Sequence, residues 1–395
     1  MNKFLFVFSC IFCVNVEASS APVVVLSIDG FSAEYIERYQ PKHLLDIKNQ
    51  GLSSPALAPV FPTKTFPNHL TMVTGKYPSQ HGIIHNSFYD RVKQKKYKVG
   101  DGRKDSSWLK AEPIWITAEK NGITSASYFW PESEATINNF KPTYRYAYDE
   151  AITSKERLNQ IIRWLQMPTD TKPYFIASYF SLVDNAGHRF GPNSIQVKKA
   201  VAQIDQLIGE FTQQLAQLDI EVNLVIVSDH GMINIGQDNA ILLTDLPLSS
   251  ALDLVHNGES QLYIYEQNKS LVNETVIALN SSSKNRYQAY ANGQFPKHWH
   301  FNQLDDTMPD IIVNALPPYS FSYGGSGSTN KATHGYDPLS SKKLNGIFIS
   351  QGPNIKPGRV SGFSNIYIHS FLCALLNLPT TEHSNTNPLL EYKVE

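Results

Sequence analysis

VVVLSIDG, from Val23 to Gly30, is an apolar, β-branched run that stops abruptly at a carboxylate. VNLVIVSDHG, from Val222 to Gly231, has the same form, and YFIASYFSLVD, from Tyr174 to Asp184, is a third. Strands with one wet face alternate apolar and polar residues; continuous apolar runs of this kind fit parallel strands covered on both faces. In open α/β sheets, ligands sit in the crevice beyond the carboxyl ends of the strands. The expected fold is therefore α/β, with a central, mostly parallel sheet flanked by helices. Asp29, Asp184 and Asp229 should gather at one edge of it. A single acid after a strand is ordinarily a turn residue or a helix cap. Three strands that end alike point to a site.

Histidines accompany these acids. His230 follows Asp229, His334 stands in ATHGYDP, and His188 follows Asp184 at D-x-x-x-H spacing with Gly187 before it. That spacing lets both side chains converge, on a helical turn or in a tight loop. Together with Thr65 they make an inventory of O and N donors for two divalent cations and a nucleophile. No cysteine lies among them, which excludes Cys-type zinc and iron–sulfur centres. Thr65 belongs to FPTKTFPNH, a segment punctuated by Pro62 and Pro67 that reads as a loop entering a helix at Asn68–Thr74. A threonine hydroxyl becomes a useful nucleophile only beside a base or a metal. A helix N-terminus favours phosphate, and a threonine there also serves simply as a cap. Neighbouring Lys64 is expected to point to solvent.

The segments IDGF, PTKTFPNHLTMVTGKYPSQHGIIHN, YFWPESEA, VDNAGHRFGP, VSDHGM and THGYDP resemble the nucleotide pyrophosphatase/phosphodiesterase family of the alkaline phosphatase superfamily. They occur in the family's order from Asp29 to about Pro338. The resemblance implies an alkaline-phosphatase-like fold in one large domain with small insertions. It implies two zinc ions, one held by Asp29, Thr65, Asp229 and His230, the other by Asp184, His188 and His334. Thr65 matches the nucleophile that forms a phosphothreonine intermediate, and Asn86 matches the donor to a phosphoryl oxygen. Phe66 and Tyr148 match the aromatic pair that holds a nucleobase, and Tyr179 matches a further lining residue. The implied activity cleaves phosphodiester or pyrophosphate bonds of nucleotides and releases nucleoside 5′-monophosphates. Two features depart from the family: PESEA at Pro131–Ala135 replaces a proline–glycine–serine version, and His85 replaces a frequent acid. Both are expected on the substrate side. A choline-type lipid-headgroup phosphodiesterase and a phosphomonoesterase on the same fold are the alternatives. A sulfatase lacks its nucleophile segment here.

The remaining sequence sets bounds. Lys3, an apolar run from Phe4 to Val16 and small residues after it read as a signal peptide over residues 1–18, leaving a catalytic domain over 19–395 and an exported enzyme, periplasmic or secreted. Cys373 then stands alone in IHSFLCALLNL, expected as a buried thiol, so no intramolecular disulfide forms. That favours a bacterial periplasm over an animal surface; sequons at Asn268, Asn273 and Asn280 would matter only in a eukaryote. Charged residues make up 17% of the chain, with a net charge of −1, which gives no electrostatic footprint for duplex nucleic acid or an anionic membrane. The partner is a small nucleotide or diester; no run after the signal is long enough to span a bilayer, and oligomeric state has no signature. Helices are expected at Ser32–Gln50, Thr153–Gln166 and Ser194–Leu218. Residues 86–110, with basic residues from Arg91 to Lys98, read as a solvated insertion near the site. Tyr263–Lys297 reads as polar and irregular, with peripheral strands and helices, and Ser322–Gly335 as a loop delivering His334.

Overall fold

The computed structural model describes residues 21–248, 253–256, 258–266, 268–301, 307–323, 330–379 and 382–394. The expected signal segment, and part of the loop that precedes His334, lie outside them. A nine-stranded sheet forms the centre. Its order is Gly358–Arg359, Leu52–Ala58, Gly346–Gln351, Asn223–Val227, Val23–Ile28, Phe175–Phe180, Ser125–Tyr128, Tyr144–Tyr146, with Phe363–Ser364 also on Leu52–Ala58. Only Gly346–Gln351 pairs antiparallel with its neighbours. The three apolar runs are the three central parallel strands, with Ile28 level with Phe180 and Ser27 level with Val227.

Alternation along one strand explains the two layers. Val23 and Val25 face a core built with Leu70, Val73, Trp115 and Phe371. Val24, Leu26 and Ile28 face the opposite core, with Ile47, Ile161, Ile204 and Ile208. Each such side chain contributes about 1.5–3 kcal/mol on full burial, and the one polar residue in the run, Ser27, is hydrogen-bonded to His69. Two of the expected helices form nearly as read, Ser154–Leu165 and Ile195–Gln217. Thr153 and Glu156 make a capping box on the first, and Ser194 Oγ accepts from Val197 N on the second.

Two expectations need correction. Ser32–Gln50 is two helices, Glu34–Tyr39 and Lys42–Gln50, broken where Gln40 turns left-handed at φ 49° before Pro41. A residue before proline is pushed out of the helical region, and proline has no N–H to continue the ladder. The insertion is not wholly solvated. Ser87–Asp90 and Lys95–Lys98 form a hairpin whose Phe88 and Tyr97 are buried with Trp108. Arg91 pairs with Asp310 and Lys93 with Asp105, so the basic run is partly neutralised. Tyr263–Lys297 forms strands and a helix, as read, within an antiparallel sheet ordered Asp253–His256, Gln261–Tyr265, Ile311–Ala315, Tyr287–Ala291, backed by helix Leu271–Ser282. Tyr263 is fully buried there, and its hydroxyl donates to Ile84 O at 3.1 Å.

Candidate active site

Parallel register brings the strand-end acids together. Asp29 follows Val23–Ile28, and Asp229 and His230 follow Asn223–Val227. Asp184 and His188 lie one turn apart on helix Leu182–Phe190, which leaves the end of Phe175–Phe180. Gly30 adopts φ +66°, and a Cβ there would lie 2.9 Å from Asp184, so glycine permits the close approach of these two ends. His334 arrives from the short strand Ala332–Thr333, and Thr65 is the first residue of helix Thr65–Thr74.

Two clusters result. His230 Nε2 lies 3.0 Å from Asp229 Oδ2, 3.4 Å from Asp29 Oδ1 and 3.3 Å from Thr65 Oγ1. His334 Nε2 lies 3.1 Å from His188 Nε2 and 3.8 Å from Asp184 Oδ1, with His188 Nε2 3.5 Å from Asp184 Oδ2. The rings of His230 and His334 stack at 3.6 Å and join the clusters. Ligand atoms of Asp29, Asp229 and His230, and of Asp184, His230 and His334, all lie within 4.8 Å of one another, a spacing that can hold metal ions.

The hydrogen bonds behind the rings test that fit. Carbonyls of Ala332, Thr63 and Gly231 face Nδ1 of His188, His334 and His230 at 2.9, 2.7 and 3.0 Å. A carbonyl can only accept, so each Nδ1 carries a proton, and in the neutral ring Nε2 presents a lone pair inward. Buried carboxylate oxygens of Asp29, Asp184 and Asp229 also lack hydrogen-bond partners among the described residues. Lone pairs and carboxylates converging in this way repel one another unless a cation sits among them. Burial, then the charges of Asp184 and Asp229, push the Asp29 pKa well above the usual carboxylate range. Burial would raise Asp229 too, but His230 and His69 outweigh it and hold its carboxyl low. His334 is driven well below the usual histidine value by burial, then by His230 and Lys64. A neutral imidazole is the form that binds metal.

Residues 23–337 match the type I phosphodiesterase / nucleotide pyrophosphatase family. The chain belongs to this family. An uncharacterized pyrophosphatase/phosphodiesterase of Schizosaccharomyces pombe is 33% identical across 92% of this chain and 78% of that protein. Human ectonucleotide pyrophosphatase/phosphodiesterase family member 1 is 32% identical across 94% of this chain, which spans 41% of the human protein's length. Among solved structures, mouse ectonucleotide pyrophosphatase/phosphodiesterase 5, an inactive threonine-to-alanine variant in complex with AMP, matches with a TM-score of 0.87 and 26% identity, covering 95% of this chain and 100% of that one. The expected alkaline-phosphatase-like fold is thus the fold of the family's solved members.

The type I phosphodiesterase fold places the other expected residues as follows. Thr65 does not cap its helix; Lys64 occupies the cap position, and the Thr65 hydroxyl turns to His230. Asn86 Oδ1 accepts from Phe66 N at 3.0 Å. Its amide NH2 is left without a protein partner among the described residues. Phe66, Tyr148 and Tyr179 line one cavity of about 400 Å³ with Arg103, Trp130 and Glu134. Tyr179 also donates to Asp29 Oδ2 at 2.5 Å.

Lys64 does not reach solvent. Its Nζ donates to Gly258 O at 3.0 Å, and its stem fills the space over Gly335, where a Cβ would lie 2.3 Å from Lys64 Cε. Burial pulls its pKa down to about 8. His85 is buried edge-on to Tyr263, with Nδ1 accepting from Ser87 N, and does not line the cavity. Glu132, in the departing PESEA segment, adopts a left-handed φ of 61°. Its carboxylate accepts from Tyr97 OH and Gly100 N and so ties the insertion to the cavity wall. Sequence reasoning missed His69. Its Nδ1 lies 2.8 Å from Thr65 O and 3.4 Å from Asp229 Oδ2, and its Nε2 lies 2.8 Å from Ser27 Oγ. The i,i+4 spacing from Thr65 was the available signal.

Proposed function

We propose that this chain hydrolyses phosphodiester or pyrophosphate bonds of nucleotides at two zinc ions and releases nucleoside 5′-monophosphates. The observation that carries this reading is the position of Thr65: its hydroxyl is 3.3 Å from His230 Nε2 in the ligand cluster, and Phe66 beside it walls the aromatic cavity. Asp29, Thr65, Asp229 and His230 would hold one zinc, and Asp184, His188 and His334 the other. Bound there, the ions supply Lewis acidity, which lowers the pKa of a hydroxyl and steadies charge on attacking and leaving oxygens.

Thr65 Oγ attacks phosphorus, and the P–O bond to the leaving group breaks. The product is a phosphothreonine ester that still carries the nucleoside. Water then cleaves that ester, freeing the 5′-monophosphate and restoring the hydroxyl. Asn86, held by Phe66 N–H, presents its NH2 to a phosphoryl oxygen as negative charge builds there. Thr65 opens helix Thr65–Thr74, whose dipole favours negative charge at that end. His69 and Tyr179 orient Asp229 and Asp29 from behind. Phe66, Tyr148 and Tyr179 receive the base.

A choline-type headgroup would also find aromatic walls and Glu134 in this cavity, but Arg103 pairs with Glu134 there at 3.6 Å and opposes an ammonium. The AMP-bound mouse relative supports the nucleotide reading as well. Export is part of the proposal. It rests on the apolar run Phe4–Val16, and no described helix is long and apolar enough to cross a membrane. The test is a side-by-side assay with a nitrophenyl nucleotide diester, a dinucleoside polyphosphate, a phosphocholine ester and a phosphomonoester. Nucleotide diesters and polyphosphates should be hydrolysed fastest; a faster phosphocholine ester or monoester would overturn the reading.

A further inference from the structure

Beside the nucleotide cavity lies a second, open cleft of about 510 Å³, lined by Arg103, Lys104, Glu134, Thr143, Arg145 and Ala147. Arg103 and Glu134 line both spaces, whereas Phe66 and Tyr179 line only the first. The cleft therefore adjoins the cavity on a side away from the nucleophile's neighbour.

Arg145 is the residue that gives the cleft its chemistry. It is the middle residue of Tyr144–Tyr146, the outermost strand of the central sheet, level with Ser127. Tyr146 stacks on Tyr128 at 4.6 Å and Tyr144 lies against Trp164, so alternation sends Arg145 to the other face. Arg145 is half-buried, yet its guanidinium has no hydrogen bond or ion pair among the described residues. Lys104 comes no nearer than 4.0 Å to its closest acid, Asp101. The single carboxylate in the cleft is engaged already: Glu134 accepts from Tyr148 N at 3.0 Å and pairs with Arg103. Three cations thus face one occupied acid, in a chain whose overall net charge is −1. An unpartnered guanidinium fork matches the geometry of a phosphate group.

We propose that this cleft is a subsite for a second phosphate ester on the nucleotide, carried at the ribose 2′ or 3′ oxygen. The inference rests on the nucleotide reading above. With the scissile phosphate at Thr65 and the base in the aromatic cavity, the 2′ and 3′ oxygens are the positions left to bear a second anion. Arg145 grips that phosphate, with Arg103 and Lys104 adding charge.

Titration calorimetry on the zinc-loaded full chain tests this, with AMP, adenosine 3′,5′-bisphosphate and adenosine 2′,5′-bisphosphate as probes. One of the bisphosphates should bind about tenfold more tightly than AMP, and added salt should erode that advantage. Arg145→Ala should reduce the advantage to under about twofold and leave AMP affinity unchanged; Arg145→Lys should restore part of it. Which bisphosphate is favoured identifies the hydroxyl. Equal affinities for all three ligands would overturn the subsite while leaving the nucleotide reading intact. An equal loss for AMP and bisphosphate in Arg145→Ala would make Arg145 a structural prop. Failure of AMP itself to bind would sink both.

Discussion

At the residue scale, the proposed chemistry rests on the hydroxyl of Thr65 and on the groups that steady its neighbours. Thr65→Ala should keep the fold and lose most turnover, and Thr65→Ser should recover part of it, because serine restores an attacking oxygen. Steady-state kinetics on a nucleotide diester, with circular dichroism as the fold control, checks both. Tyr179→Phe removes the 2.5 Å bond to Asp29 and little else. Loss of a partner behind a metal ligand typically costs about 10–100-fold in metal affinity, so competition with a calibrated chelator should show zinc leaving the variant first. Unchanged affinity would demote Tyr179 to a cavity wall. Phe66→Ala should weaken nucleotide diesters by about 1–3 kcal/mol and bis-nitrophenyl phosphate far less, the difference expected of base stacking. Equal loss on both substrates would make Phe66 simply part of the core behind the nucleophile.

At the scale of elements, the short helix Pro78–His81 holds a titratable group that the chemistry does not use. His81 Nε2 donates to Pro67 O at 3.1 Å, and Nδ1 accepts from Ile83 N at 3.2 Å, so the neutral ring satisfies both partners. Burial pulls its pKa down to about 3 from the ordinary 6.5. Between these values the unfolded chain binds the proton and the folded chain does not. Stability present above about pH 6.5 is therefore lost as the pH falls toward 3, at up to about 1.4 kcal/mol per unit. Urea unfolding of metal-stripped protein should show that slope, and His81→Gln should flatten it by about one proton. Identical slopes would contradict the assignment. Elements with strong local signals were legible from sequence: the helix Ile195–Gln217 by its apolar stripe and Ser194 cap, and the three buried strands by their uniform composition. The hairpin Ser87–Lys98 was not. Exposed Lys95, Lys96 and Lys98 dominate its composition, while the buried Phe88 and Tyr97 are only two residues among them. The break at Gln40 was readable from Pro41, but the apolar spacing on either side masked it.

At the scale of the whole molecule, the sheet collects into one buried edge residues that lie far apart in the chain. The acids and histidines at strand ends were visible because each sits at a local change from apolar to polar sequence. Their supports were not, because Tyr179 reaches Asp29 from 150 residues away and His69 meets Ser27 across 42. Such pairings depend on register between strands, which no local pattern encodes. If cations bind there as proposed, the same burial should make stability depend on them, since carboxylate oxygens of Asp29, Asp184 and Asp229 without hydrogen-bond partners among the described residues share one space. Stripping metal with a chelator should abolish turnover and lower the melting temperature, and zinc should restore both. A ligand held at a thousandfold over its Kd stabilises by about 4 kcal/mol, which sets the expected scale. Full activity with less than one metal ion per chain would contradict the two-cluster reading. The most direct test is rapid-quench mass spectrometry during turnover of a nucleotide diester. The expected result is a nucleoside phosphate ester mapped to Thr65 that forms and decays within the catalytic cycle; no adduct at Thr65, together with near wild-type turnover by Thr65→Ala, would contradict it.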